Sequence, residues 1–559
     1  MLFVMSTTHT PTPSALDKIR KFADRGSAEL HFLRKMIAAG ALEAPKKLPA
    51  FVADVGRWGE FGMIPALNAR RNPDRTAIID DEGSLTFAEL NDAVNGVAHG
   101  LLALGAKGGD GVAILARNHR WWLIANYAAA RVGARIILLN TEFSGPQISE
   151  VVAREGGKVI IYDDEYTEAV KLAEAPLGKL RALATNPEAA SPSGSTDETL
   201  ADLIARSSKE PAPDATEKAT VILLTSGTTG TPKGANRKAP PTLAPIGGVL
   251  SHVPFKSGEV TALPAPMFHA LGYLHTTIAM MLGSTLVLHR KFSPKTVLED
   301  VAKYKVTAIV LVPVMLSRML DALEKMDPKP DLSSLRIIFA SGSQLGAELA
   351  TRTITDIGPV VYNLYGSTEI ASVTIARPQD LLKNPATVGP TIKGVKVKIL
   401  DDHGNELPQG KVGRIFVGTF FPFEGYTGGG NKEIINGLMS SGDVGYFDEH
   451  GLLYVSGRDD EMIISGGENV FPAEVEDLLS GHPDVIEATA IGVDDKDFGQ
   501  RLRAFVVLKE GAAATEVDFK EYVREHLARY KVPREVVFLG ELPRNPTGKI
   551  LKRELRKIN

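Results

Sequence analysis

The chain has 559 residues, a net charge of −4 and a hydrophobic content of 44%, so it exceeds one ordinary core and two or more domains are expected. So near-neutral a balance gives no global field to draw in nucleic acid, and no nucleic-acid partner is expected. There is no cysteine, which excludes a disulfide scaffold, a thiolate metal cluster and a covalent cysteine intermediate.

The opening MLFVMSTTHTPTP lacks a basic flank and a cleavage site, so it reads as a flexible leader and not a signal peptide. Residues 1–58 are expected to form a basic N-terminal extension. Within it 15–48 reads as helix, with Leu30, Leu33 and Ile37 at helical spacing and Arg34 and Lys35 between them. Packing on the main body is its expected role; peripheral contact with an anionic membrane surface is the alternative. The longest apolar run, YAAARVGARIILL (127–139), is interrupted by Arg131 and Arg135, well short of the ~20 apolar residues of a spanning helix. The terminal LRKIN is not a peroxisomal address. A cytoplasmic location is expected, with any membrane association made through the extension.

A large domain is expected over 59–458. Its apolar runs GVAILARN (111–118), ARIILLN (134–140), KVIIYDD (158–164), TAIVLVPV (307–314) and LRIIFASGS (335–343) alternate with helix-like stretches. Continuous apolar strands separated by helices predict an α/β fold with mostly parallel, helix-covered sheets. Segment 186–218, rich in Pro, Ser and charge, reads as a surface excursion. After residue 395 short strands and turns predict a β-rich subdomain, and 461–559 a small α+β domain. That domain holds the helix PAEVEDLLSG (472–481), the strand RAFVVLKEG (503–511) and the helix DFKEYVREHLARY (518–530).

Four stretches carry the chemistry. TSGTTGTPKG (225–234) offers three glycines, five hydroxyls and a lysine directly after an apolar run, the makings of a phosphate cradle. It is not a regular P-loop, because Pro232 precedes Lys233 and Gly234 follows it. YGSTE (365–369), SGDVGYFDEHGLLYVSGRDDEMIISGGENVFPAEVE (441–476) and PRNPTGKILKREL (543–555) follow in order.

In that order and spacing these motifs resemble those of the adenylate-forming superfamily: acyl-CoA synthetases, firefly-type luciferases and the adenylation domains of nonribosomal peptide synthetases. The resemblance covers roughly residues 60–559 and is nearest to bacterial fatty-acyl-CoA synthetases. It implies a large domain with a small C-terminal domain hinged on it, and ATP, CoA and Mg²⁺ as co-substrates and cofactor. Thr225 and Glu369 would position Mg²⁺, for which hard oxygen ligands are suited. Ser226, Thr228, Thr229 and Lys233, around Gly227, would contact the β- and γ-phosphates. Tyr365 would pack on adenine, with the backbone of Ser341, Gly342 and Ser343 as the other wall and Gly366, Ser367 and Thr368 completing the motif's nucleotide contacts. Asp443 would accept both ribose hydroxyls, assisted by Arg458. Lys549 would bridge the incoming carboxylate and the α-phosphate as a compact charge on a flexible stem. His269 would line the acyl and pantetheine entrance, Gly466 and Gly467 would lie beside pantetheine, and Asp460 would be the hinge.

PAPMFHALGY (264–273) contains no acid to meet a substrate amino group, and the chain stops just after Lys549, both unlike a peptide-synthetase adenylation domain. Met267, Phe268, Leu271 and Tyr273 suit an alkyl chain, although core packing explains them equally well. Two departures from the family pattern stand out: ANRKAPP (235–241) where a hydroxyl–His pair is common, and SGSQ (341–344) where GGAP is common. The expected activity is a fatty-acyl-CoA synthetase, long-chain ahead of medium-chain. A fatty acyl-AMP ligase loading a carrier protein and a non-catalytic nucleotide- or acyl-binding homologue are the alternatives, and a homodimer is left open.

Overall fold

The computed structural model of the chain describes residues 15–41, 48–183, 195–225, 233–236, 242–419, 423–427, 429–461, 463–465, 468–495, 499–545 and 548–558. Two mostly parallel sheets form its body. In one, strands Thr220–Thr225, Arg135–Leu138, Gly111–Leu115, Gly157–Asp163 and Gly178–Leu183 run parallel in that spatial order. Lys233–Asn236 and Gly425–Tyr426 are added antiparallel beside Thr220–Thr225. In the other, Thr76–Asp80, Thr285–Val287, Val260–Ala262, Ala308–Leu311, Ile337–Ala340 and Val361–Ser367 run parallel, with antiparallel strands at both edges.

Strand periodicity shows how the layers are built. Val112 and Ile114 join Val310 and Phe339 of the other sheet in a core that also takes in helices Phe87–Ala103, Arg120–Val132 and Ala270–Met281. Ala113 and Leu115, one residue out of step, face a separate core covered by helix Gly145–Arg154. Ile309 and Leu311 likewise face helices Pro294–Tyr304 and Pro313–Lys325. Helices therefore lie between the sheets and outside both, and the five predicted strands appear where the apolar runs placed them.

A third sheet, antiparallel throughout, contains Lys396–Leu400, Gly413–Gly418, Leu438–Phe447, Ile434–Ile435 and Leu453–Arg458. The last unit has its own sheet around the long hairpin Val485–Asp495 and Gly499–Leu508. Helices Pro472–Ser480 and Glu516–His526 pack on it through a core of its own.

Two expectations are corrected. Helix Ala15–Ala39 does not bury the stripe of Leu30 and Ile37, which are 50% and 57% exposed. It buries Ala28, Phe32 and Met36, one turn apart, and Phe32 lies so close to helix Ala244–Leu250 that a Cβ at Gly247 would collide with it. Glu29 fixes the crossing by accepting from the Leu243 backbone N–H at 2.9 Å and from the Thr242 hydroxyl. The extension is thus docked on the body. Part of 186–218 is likewise no excursion: helix Leu200–Arg206 buries Leu200 and Leu203 against helix Phe87–Ala103, where Gly100 leaves room for Leu203. Among the described residues no helix is long and apolar enough to cross a membrane.

Candidate active site

The glycine-rich loop is closed at its base by an antiparallel pair, Thr225 opposite Lys233. Ser226, Gly227, Thr228 and Thr229 lie outside the described residues. Behind the loop, the Thr427 backbone N–H donates to the Gly234 carbonyl at 2.8 Å. The Gly234 N–H in turn donates to the Thr427 hydroxyl at 2.9 Å, which donates onward to the buried Glu155 at 2.5 Å. Glycine is needed at 234, because a Cβ would stand 2.6 Å from Ile222 and 2.7 Å from Thr427. Lys233 donates to the Gly429 carbonyl at 3.2 Å and lies 5.8 Å over the Tyr426 ring. The stretch GYTGGG (425–430) thus braces the loop, a role the sequence analysis missed.

YGSTE occupies a tight hairpin between strands Val361–Ser367 and Ala371–Ala376, with a bulge at Tyr365/Gly366. A Cβ at Gly366 would collide with the Ala371 carbonyl, and Ala371 adopts φ 58° to make the turn. Glu369 at the tip accepts from the Tyr426 hydroxyl at 2.8 Å on one oxygen and from the Ser367 hydroxyl at 2.8 Å on the other. Burial, with Glu369 adding to it, raises the Tyr426 phenol well above its ordinary value, so Tyr426 remains a donor. Glu369 and Lys233 are therefore joined through one ring.

On the third sheet, Asp443 and Arg458 are cross-strand partners. The Tyr365 hydroxyl donates to one Asp443 oxygen at 2.6 Å and Arg458 to the other at 3.1 Å. Burial pushes the Asp443 carboxyl up while Arg458, Tyr365 and Lys432 pull it down. A carboxylate held in place, with lone pairs to spare, suits a pair of hydroxyl donors. The Ser341 hydroxyl donates to the Leu364 carbonyl at 3.0 Å, tying the SGSQ loop to the strand that carries Tyr365.

The small domain reaches this place through one valine. Val312 Cγ1 lies 3.3 Å from where a Cβ would stand on Gly342, and its Cγ2 lies 3.3 Å from the same point on Gly548. Gly548 adopts φ 76° and is pressed on Val314, so side chains are excluded there by both space and backbone. Lys549 follows immediately, exposed, in a turn closed by Asn545 Oδ1 accepting its N–H at 2.9 Å. Of the predicted residues, Tyr365, Asp443 and Arg458 are thus brought together, and Gly342 and the glycine before Lys549 meet different methyls of Val312.

Comparison with known proteins agrees with this geometry. The AMP-binding enzyme family matches residues 66–427 and the AMP-binding enzyme C-terminal domain matches 474–549. The chain belongs to the AMP-binding enzymes. Feruloyl-CoA synthase of Amycolatopsis sp is 33% identical over 89% of this chain and 98% of that protein. The fatty acid–[acyl-carrier-protein] ligase ScoC of Streptomyces coeruleorubidus is 30% identical over 88% and 95%. The ATP-bound crystal structure of MatB from Rhodopseudomonas palustris superposes with a TM-score of 0.77 at 26% identity, covering 89% of this chain and 98% of that one. This AMP-binding enzyme is a member of the adenylate-forming superfamily of ATP-dependent acyl-CoA ligases.

In this AMP-binding enzyme His269 caps helix Ala270–Met281 and lies against Phe268, ring centres 4.5 Å apart. Burial lowers it to about 4, and its Nε2 is buried with no partner among the described residues, so the ring is neutral at physiological pH. His275, unremarked in the sequence, repeats this two turns on: it donates from Nδ1 to the Leu271 carbonyl at 2.9 Å, packs 4.2 Å from the Phe339 ring, and is lowered to about 4 by burial. Met267, Phe268 and Tyr273 belong to the core between the sheets, with Leu271 packed beside it. Core packing thus accounts for three of the four residues expected to meet an alkyl chain.

Mg²⁺ fits the donor chemistry. Glu369 supplies a carboxylate, a hard oxygen donor, already oriented by the Ser367 and Tyr426 hydroxyls. Mg²⁺ commonly takes one or two carboxylates and completes its octahedron with water and phosphate. Gly466 and Gly467 lie outside the described residues. On either side of Asp460 the chain is pinned to different bodies: Arg414 of the third sheet donates to Asp459 at 2.8 Å, whereas Lys552 of the small domain donates to Glu461 at 2.6 Å and pairs with Glu476 at 2.9 Å.

Proposed function

We propose that the chain activates a fatty acid, long-chain ahead of medium-chain, to acyl-AMP and then transfers the acyl group to CoA. The observation that carries the reading is the Tyr365–Asp443–Arg458 group, together with the seating of the loop before Lys549 on the same Val312 that meets Gly342. In the first step a carboxylate oxygen attacks the α-phosphorus, and the bond to the β-phosphate oxygen breaks to release pyrophosphate. Both reactants are anionic, so fixed positive charge aimed at the transition state dominates the catalysis. Lys549 bridges carboxylate and α-phosphate. Lys233 leaves Gly429 for the β- and γ-phosphates beside Ser226, Gly227, Thr228 and Thr229. Asp443 and Arg458 take the ribose, and Tyr365 the adenine, with Gly342, Ser343 and the Gly366–Thr368 backbone around it. Thr225 and Glu369 would hold Mg²⁺, which supplies charge neutralisation when bound.

The acid side argues for an apolar substrate. From Pro264 to Met281 there is no Asp, Glu, Lys or Arg, and both histidines in that stretch are held neutral. A second carboxylate or an ammonium group on the substrate would find no counter-charge there. In the second step the thiol sulfur attacks the acyl carbonyl and AMP leaves, with pantetheine passing His269 and the Gly466–Gly467 backbone.

Pyrophosphate release across a panel of carboxylic acids tests the reading. Turnover is expected to rise with alkyl length and to be low for dicarboxylic and amino acids; preference for either of those classes overturns the substrate assignment. One relative carries the name of a carrier-protein ligase, so the acceptor needs its own arm. AMP release that does not respond to CoA favours a carrier protein as acceptor.

A further inference from the structure

The SGSQ loop departs from the common family pattern at Gln344, and in the fold that residue faces the other domain. Gln344 Nε2 donates to Asp477 Oδ2 of helix Pro472–Ser480 at 2.9 Å. The other Asp477 oxygen lies 3.9 Å from where a Cβ would stand on Gly346. Gly346 is the N-cap of helix Ala347–Asp356, and no side chain of the large domain caps that helix. Asp477 therefore brings a carboxylate to the uncapped, electropositive end of a helix in the other domain, where an anion is stabilised. The remaining charges around it are committed elsewhere. On its own helix Glu474 is paired with Lys531 and Glu476 with Lys552, and Glu348 in the first turn of the facing helix is under the influence of Lys509. Partial desolvation, with Glu476 adding to it, raises the Asp477 carboxyl above its ordinary range, and both Asp477 and Gln344 are exposed at the surface.

We infer that Gln344 and Asp477 form an interdomain latch that positions the small domain, and with it Lys549, for the adenylating step. Two of the contacts between the domains are complementary. Gly548 on Val312 and Val314 is apolar and sets the distance of the lysine loop, whereas the latch is polar, directional and lies on the far side of the same SGSQ loop. Any rotation of the small domain that carries helix Pro472–Ser480 off the large domain must break the latch. The latch thus sets how the enzyme divides its time between half-reactions. It rests on the two-step reading above only for its kinetic consequence.

The chain has no cysteine, so labels can be placed freely. Leu382→Cys on the large domain and Val517→Cys on the small domain, 58% and 71% exposed, carry a spin-label pair whose distance distribution reports docking without any chemistry. In that background Gln344→Ala and Asp477→Ala are each expected to shift the docked-to-undocked ratio by roughly twofold to fivefold, as loss of a solvent-exposed polar pair implies. Asp477→Asn keeps an acceptor for Gln344 but loses the charge at the helix end, so it is expected to shift the ratio less than the alanine variants do. Single-turnover acyl-AMP formation should slow in the two alanine variants, while transfer from supplied acyl-AMP to CoA does not. Distance distributions unchanged in both alanine variants overturn the latch, as does equal slowing of both half-reactions. If the parent activates no carboxylic acid, the proposed function falls, and the distance comparison still decides the latch.

Discussion

Lys549 carries no partner-making task in the fold that a neighbour could not perform, yet everything around it is specified. Its backbone turn is tied to Asn545, the preceding glycine fits only because it lacks a side chain, and the lysine is left exposed. Lys549→Ala is therefore expected to leave folding intact. It should slow acyl-AMP formation by on the order of 10²–10³, the usual cost of removing a donor aimed at developing charge. Transfer of a supplied acyl-AMP to CoA, which begins from an already activated anhydride, should proceed. Rapid-quench measurement of each half-reaction checks this, and equal loss in both would count against the role. Residues of this kind were legible in the sequence because their motifs fix chemistry at short range: Tyr365, Asp443 and Arg458 do converge. Tyr426, Thr427 and His275 were not legible. Tyr426 and Thr427 act through partners about 57 to 270 positions away, and His275 gains its character only from the aromatic rings that bury it.

At the scale of elements, the parallel strands were readable because burial on both faces demands unbroken apolar runs, which little else in a chain produces. The face of helix Ala15–Ala39 was not. Its apolar residues are spread around the cylinder, and only the glycine-lined surface of helix Ala244–Leu250 selects Phe32 over Leu30. The same dependence on distant partners governs a pH-sensitive joint. His289, just after strand Thr285–Val287, reaches Asp300 of helix Pro294–Tyr304 at 2.7 Å and Asp81 beyond strand Thr76–Asp80 at 3.1 Å. These two hydrogen bonds outweigh burial and raise it from 6.5 to about 9. A folded-state value above the unfolded one means that the proton stabilises the fold. That contribution is complete below pH 6.5 and disappears as pH rises through about 9. Urea midpoints of the parent should accordingly fall across this window, and His289→Gln should flatten the fall; parallel profiles for the two proteins would exclude the joint as its source.

Across the whole molecule, the proposed two-step reaction requires one lysine loop and one diglycine loop, both in the small domain by sequence, to serve one site. Rigid placement satisfies one of them at a time, so the small domain must turn on the large one. The ion pairs around Asp460 restrict where. Asp459 moves with the third sheet because Arg414 holds it, and Glu461 moves with the small domain because Lys552 holds it. Rotation is thereby concentrated in the backbone dihedrals of a three-residue 3₁₀ turn, Asp459–Glu461, as domain hinges concentrate change in a few residues. Proline fixes φ near −65° and keeps the residue before it out of much of the helical region. Asp460→Pro is expected to remove the freedom to alternate, although Asp459 before it lies in the 3₁₀ turn, so the turn itself is strained by the substitution. With Gly548 seated on Val312 and Val314, the arrangement retained is the one that presents Lys549. Acyl-AMP should therefore form at close to the parent rate, and its transfer to CoA should collapse. Single-turnover measurement of each half-reaction decides the matter: unimpaired thioester formation would place the hinge elsewhere. Loss of adenylation with transfer preserved would show that proline selects the opposite arrangement.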